Sequence, residues 1–272
     1  MSSKIHVQIE DFARNRNIFF MIDATSRIID RRVPSLSIMA KAFDLQHRKK
    51  MVAFYSRLIR RGDLCFDVGA NIGNFTRAFL ELGARVVCIE PQDVCLKKLR
   101  KSFGNNRNVT IISKAVGEQE GYGELMLCEE APTISTMSVQ WMKEGRFSRD
   151  YKWTRTRKVR VTTLDALIQS YGLPKFCKID IEGFEESALK GLTKPIPLIS
   201  FEFTREFFDD GKKCINRLLR IGNAEFNCML GESMKFLLPK WVPPEELYEE
   251  IVEISSKLDG KLFWGDMYAR FI

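Results

Sequence analysis

An apolar run, Leu64 to Val68, ends in Gly69-Ala70-Asn71-Ile72-Gly73 and passes at once into a helical stretch, Asn74 to Leu82, closed by Gly83. No other junction constrains the chain as much. A short continuous apolar run reads as a strand buried on both faces, as strands in helix-covered parallel sheets are. Glycines at its carboxyl end let the backbone take positive φ and approach a ligand closely. The following helix aims its free N–H groups at the same place. The loop is neither a phosphate-gripping G-x-x-x-x-G-K-S/T nor a G-x-G-x-x-G. Asp67 stands just before it, which suits a ligand with a cationic amino group better than a pyrophosphate.

The same alternation continues. Arg85 to Glu90 is a second strand and Asp93 to Phe103 its helix; Val109 to Ala115 is a third strand, with an extra one at Gly123 to Leu127. Phe176 to Ile181 is another buried strand, followed by a helix at Glu185 to Leu189 and a strand at Leu198 to Phe203. Strand–helix–strand repetition predicts an α/β fold with a mostly parallel sheet covered by helices on both faces. The tail reads as a helix at Lys212 to Ile221, strands at Phe226 to Leu230 and Met234 to Leu238, a helix from Glu246 to Lys257 after Pro243-Pro244, and a last strand at Met267 to Ile272. Phe207-Phe208 and Trp264 read as core. Residues 129–160 are the least regular; Trp141, Tyr151 and Trp153 among several arginines suggest a packed lid insertion.

Charge divides the chain unevenly. Of 43 Lys+Arg and 35 Asp+Glu, residues 1–62 hold 13 and 5, and the remainder is balanced at 30 of each. A basic helical N-terminal extension, 1–62, is therefore expected ahead of a body at 63–272. Within it, Met51, Val52, Phe54, Tyr55, Leu58 and Ile59 follow amphipathic spacing over Gln46 to Arg61, with Arg48, Lys49, Lys50, Arg57, Arg60 and Arg61 on the polar side. That side is either a solvated face or a docking surface for an anionic partner such as nucleic acid, lipid headgroups or a phosphorylated substrate. No apolar run approaches the roughly 20 residues that span a bilayer, and the charges around Ile18 to Ile22 leave no secretory pattern. A cytoplasmic protein is expected, with peripheral membrane contact left open. The seven cysteines form no C-x-x-C pair and several sit in strand-like runs, as buried thiols do. With His6 and His47 as the histidines, neither a Cys/His zinc site nor a histidine triad is supported.

The second strand ends at Glu90-Pro91. Glu90 follows Asp67 by 23 positions, near the ~20-residue spacing at which an acid meets a ribose diol in dinucleotide-type folds. Asp-Val-Gly-Ala-Asn-Ile-Gly at 67–73, Glu90-Pro91, Lys114-Ala115-Val116-Gly117, Thr163-Leu164-Asp165-Ala166-Leu167 and Lys178-Ile179-Asp180-Ile181-Glu182-Gly183 occur in this order. In these motifs the chain resembles the FkbM-type methyltransferases, over roughly Asp63 to Glu202. The resemblance implies an S-adenosylmethionine-dependent enzyme, with a Rossmann-like seven-stranded sheet and an S-adenosylmethionine-binding domain at 63–272. It implies that Gly69, Ala70, Asn71 and Gly73 line the methionine portion of the cofactor, with Asp67 near its ammonium through water or backbone. Glu90 would hold the ribose hydroxyls, Pro91 and Gln92 would lie beside the adenine, and Ala115 and Val116 would pack on its edge. Asp180 would stand beside the methyl.

Methyl transfer from a sulfonium needs alignment and exclusion of water, and a hydroxyl acceptor also needs a base. Asp180 is the first candidate for base or acceptor-orienting carboxylate, and Glu182 and Glu202 come next. Lys178 shares a strand face with Asp180, so it either tunes that carboxylate, binds substrate, or forms a structural pair with it. A metal held by Asp180, Glu182 and Glu202 would suit diol chemistry, but nothing in their spacing requires one and none is assigned. The expected reaction is O-methylation of a small-molecule or glycan hydroxyl by in-line transfer. Two alternatives stay open: an RNA or protein methyltransferase using the basic arm, and a non-catalytic binding or scaffold protein that keeps the cofactor fold. No recognisable RNA module or Asn-Pro-Pro-Tyr-like base-flipping signature is present.

Overall fold

The computed structural model describes residues 34–257 and 263–272. Most of the basic extension, with His6 and Ile18 to Ile22, lies outside the described residues. Its described end is helix α1 (Pro34–Tyr55), and the amphipathic stretch expected over Gln46 to Arg61 is the last part of that helix plus a turn. Met51, Phe54, Tyr55 and Ile59 are buried in one core with the sheet, so no break in packing marks residue 62.

The chain then runs β1 (Leu64–Val68), α2 (Asn74–Glu81), β2 (Arg85–Ile89), α3 (Asp93–Phe103), β3 (Val109–Ile112), β4 (Ala115–Val116) and β5 (Gly121–Leu127). Next come α4 (Val139–Glu144), β6 (Arg155–Thr162), α5 (Leu164–Tyr171), β7 (Phe176–Ile179), α6 (Glu185–Lys190) and β8 (Leu198–Thr204). The last elements are α7 (Phe208–Leu219), β9 (Ala224–Leu230), α8 (Pro244–Lys257) and β10 (Trp264–Phe271). Seven strands form one sheet in the order β3-β2-β1-β7-β8-β10-β9, parallel as far as β8, with β10 antiparallel between β8 and β9. β4, β6 and β5 form a small second sheet.

Strand alternation sorts the core onto two faces. Leu64, Phe66 and Val68 pack with Val87, Ile179 and Phe201 on one. Cys65 packs with Cys88, Phe176 and Leu198 on the other, where α1 and α2 lie. The hydroxyls of Tyr55 and Tyr268 meet there at 3.1 Å, so the end of α1 is tied to β10 by a buried hydrogen bond. All seven cysteines are buried, as their apolar settings suggest.

Two expectations need correction. Met234 to Leu238 is not a strand. Buried Asn227 holds that segment instead: its amide donates to the carbonyls of Leu238 and Lys240 (both 3.0 Å) and its oxygen accepts from Leu238 N. The stretch at 129–160 is more regular than expected, since it contains α4 and the first six residues of β6, which pairs with β5 from Arg155 to Val161.

Candidate functional site

Every parallel strand of the large sheet ends on the same side, and a cavity of about 250 Å³ opens there. Ligands of open α/β sheets bind at this edge. Of the residues singled out in the sequence, Gly69, Ala70, Asn71, Glu90, Pro91, Gln92, Ala115, Val116, Asp180, Glu182 and Glu202 line it. Asp67, Gly73 and Lys178 do not.

Alternation explains two of those exceptions. Asp67 and Lys178 are register partners that follow Cys65 and Phe176 by two positions, so they point to the α1–α2 face. Asp67 is buried, and one of its oxygens accepts from both Thr76 N (2.9 Å) and Thr76 Oγ1 (2.6 Å). It thereby occupies a donor that the first turn of α2 would otherwise leave unpaired. Burial pushes its pKa up to about 6, against the Thr76 hydrogen bonds and Lys178. Gly73 serves packing: a Cβ there would overlap the Phe103 ring and Leu99 of α3, and its φ is +89°. Gly69, at φ +79°, has a similar cause; its Cβ would collide with the carbonyl of Asp180, which the loop crosses closely.

The loop is wired to the end of β2. Asn71 N donates to Glu90 Oε2 (2.9 Å) and Gln92 N to Glu90 Oε1 (2.8 Å). Each carboxylate oxygen keeps a further acceptor site, and Glu90 is 2% exposed on the cavity wall. Burial raises its pKa to about 7, opposed by those backbone donors.

The opposite end of the cavity is acidic. Asp180, Glu182 and Glu202 each bring an oxygen within 4.8 Å of the others. Lys178, 1% exposed, sits beneath: its Nζ donates to Asp180 Oδ2 (2.9 Å) and Asp266 Oδ1 (3.4 Å) and lies 4.3 Å from the Phe75 ring. The shared face expected for Lys178 and Asp180 is thus present as an ion pair. Glu182 is held at φ +57°, and its carbonyl accepts from Thr136 Oγ1 (2.6 Å). Burial, then the Asp180 charge, holds Glu182 well above the usual carboxylate range; burial, then Glu182, does the same to Glu202. Three oxygens at this spacing could also receive a hard cation, but Arg146 and Lys178 already bring positive charge here, and no metal is assigned.

Sequence reasoning missed part of this wall. Arg146 lies 3.6 Å from Glu202 and 3.3 Å from Glu206, with its guanidinium 5.4–5.7 Å from the rings of Trp141, Phe147 and Trp264. Trp264, expected in the core, packs partly buried against it and also lines the cavity. Glu232 also lines it, and His47 of α1 touches Glu232 at 3.0 Å. The 129–160 segment lines the cavity with Thr133 to Met137, Arg146 and Phe147, and hydrogen bonds fix its first part there. Gln92 Nε2 donates to Pro132 O (2.9 Å), Trp153 Nε1 donates to Ile134 O (2.9 Å), and Thr136 bonds to Glu182. The glycine of the late motif, Gly183, leaves room for Trp141 against it.

A glycine turn after the first strand and a buried acid after the second thus stand together on the wall of this cavity. The chain belongs to the methyltransferase family described as the FkbM domain, which matches residues 67–237. It is 22% identical over 189 residues to the hexuronic acid methyltransferase AglP of Haloferax volcanii, covering 69% of this chain and 74% of that one. Among solved structures it is similar to precorrin-6y C5,15-methyltransferase of Geobacter metallireducens (TM-score 0.43, 12% identity, 83% and 87% of the two chains). It is also similar to a TehB-like SAM-dependent methyltransferase of Corynebacterium glutamicum (0.41, 11%, 82% and 88%). No helix among the described residues is long and apolar enough to cross a membrane.

Proposed function

We propose that this methyltransferase acts on a hydroxyl of a small-molecule or glycan acceptor. Glu90 binds the cofactor's ribose hydroxyls with its remaining lone pairs, and Pro91, Gln92, Ala115 and Val116 take the adenine. Gly69, Ala70 and Asn71 border the methionine part, and Asp67 and Gly73 hold that loop in shape from behind. When bound, S-adenosylmethionine supplies a methyl on a sulfonium that leaves without further activation. Alignment, exclusion of water and removal of the acceptor's proton are left to this chain. The 129–160 segment acts as the lid that excludes water.

The observation that carries the reading is the cluster of Asp180, Glu182 and Glu202 beside Phe147 and Trp264 on one cavity wall. Carboxylates accept from vicinal hydroxyls, and aromatic faces suit the apolar face of a sugar ring. The similarity to a hexuronic acid methyltransferase points the same way. Acids on the wall (Glu90, Asp180, Glu182, Glu202, Glu232) outnumber its cations, Lys114 and Arg146. That balance disfavours a phosphorylated or nucleic-acid acceptor and leaves Arg146 as the partner for an acceptor carboxylate. The test is incubation with methyl-¹³C cofactor and a panel of p-nitrophenyl hexosides and hexuronides. Methyl ether formation is expected; cofactor binding with transfer only to RNA or protein would replace this reading.

A further inference from the structure

Behind the acidic cluster lies a second cavity, about 160 Å³ in volume, walled in part by Ser138, Trp141, Glu185, Thr204 and Phe207. Glu202 is the one residue that lines both this space and the larger cavity. Two residues of the second wall carry buried polar atoms without a hydrogen-bond partner: Trp141 Nε1 and Thr204 Oγ1. Trp141 is 2% exposed and Thr204 3%, so bulk solvent does not satisfy them. Leaving such groups unpaired is costly, and a polar space of this size is one that water occupies. Thr204 follows Glu202 by two positions on β8, so both side chains leave the same face of the strand.

The carboxylates differ in what they can do with a proton. Asp180 is bound to the buried ammonium of Lys178. Glu182 lines the first cavity but not the second, and its Oε2 is buried without a partner. Glu202 meets Arg146 at 3.6 Å, too far for a hydrogen bond, so its lone pairs stay available. Facing it are Glu182, Asp180 and Glu185 on the acidic side and Arg146 on the basic side. Burial and the Glu182 charge hold it above the usual carboxylate range, which brings a base nearer to working pH.

We propose that Glu202 is the general base of the transfer and that the second cavity is a water-filled exit for the proton it takes. The inference rests on hydroxyl methylation. As the acceptor oxygen bonds the methyl carbon, the electron pair of the broken carbon–sulfur bond stays on sulfur, and the acceptor's proton moves to the Glu202 carboxylate. From there it passes to water held by Trp141 Nε1 and Thr204 Oγ1, and one proton per methyl reaches solvent. Glu202 is the catalytic residue; Trp141 and Thr204 are positioning residues.

Four readouts test this. Glu202→Gln lowers kcat on the best p-nitrophenyl glycoside by on the order of 10²–10⁴-fold while the Kd for S-adenosylhomocysteine stays within about threefold. Thr204→Val moves the acid limb of the kcat–pH profile, and Thr204→Ser, which keeps the hydroxyl, restores it. A high-resolution crystal structure of the protein alone shows ordered water bonded to Trp141 Nε1 and Thr204 Oγ1. Unchanged kcat in Glu202→Gln overturns the base assignment, and a dry second cavity or an unmoved profile overturns the exit. If the wild type methylates no glycoside, the hydroxyl reading itself fails, and the crystal structure still decides the exit.

Discussion

Replacing Glu90 by Gln separates cofactor recognition from folding. Both carboxylate oxygens accept a backbone N–H, from Asn71 at 2.9 Å and Gln92 at 2.8 Å. Glutamine offers one acceptor oxygen, so its NH₂ must face one of those donors, and the loop shifts or loses a hydrogen bond. Charge-assisted hydrogen bonds are worth roughly 1.5–3 kcal/mol each. Losing one to the loop and weakening those to the ribose gives a loss of about 3–4 kcal/mol, or roughly 10²–10³ in affinity. The free protein loses less, because the variant no longer buries a charge. The sign with pH follows from a folded pKa of about 7 against the ordinary 4.5. Glu90's contribution to the free protein's stability is fully present below pH 4.5 and is lost as pH rises through 7. Cofactor binding uses the ionised form, so affinity falls as pH drops through 7. Titration calorimetry with S-adenosylhomocysteine from pH 6 to 8.5, beside thermal melts, measures both. The wild type gains affinity with pH and Glu90→Gln does not. An affinity within threefold of wild type at pH 8, or the same pH slope in both proteins, refutes the reasoning.

Other expectations concern the walls of the same cavity. Lys178→Met leaves Asp266 buried without its ammonium and costs about 3–5 kcal/mol, read as a fall in Tm of roughly 6–20 °C; Lys178→Met with Asp266→Leu recovers part of it. Gly69→Ala adds a Cβ against the Asp180 carbonyl at φ +79°, so S-adenosylhomocysteine binding is lost even in protein that still shows a cooperative melt. Trp264→Ala leaves cofactor affinity within about threefold and raises KM for the acceptor about tenfold, as expected for a lost aromatic contact of about 1.4 kcal/mol.

What could be read in advance was local in the chain. The turn after β1 and the acid after β2 are each signalled by neighbouring residues: an apolar run, glycines at fixed offsets, and a second run of matching length. Asp67 and Gly73 were visible as special residues but not as ones turned away from the ligand. For Asp67 that depends on strand alternation relative to α1 and α2, and for Gly73 on the distant Phe103 ring. β6 was hidden because its buried Val159 and Val161 come after four exposed residues, Arg155 to Lys158, so the strand looks like a charged loop. Trp264 and Arg146 reach the cavity from β10 and from the 129–160 segment, far along the chain from the glycine turn and from Glu90. The antiparallel insertion of β10 beside β8, with Asp266 opposite Glu202, brings Trp264 to the site.

On the function proposed above, the acidic end of this cavity delivers a methyl to a hydroxyl oxygen. Product analysis by ¹³C NMR tests it directly, with methyl-labelled S-adenosylmethionine and the p-nitrophenyl glycoside panel. A labelled methyl ether on a sugar oxygen, formed on the order of 10²–10⁴-fold more slowly by Glu202→Gln, is the predicted result. A methyl ester on an acceptor carboxylate, or cofactor binding without transfer to any glycoside, contradicts it.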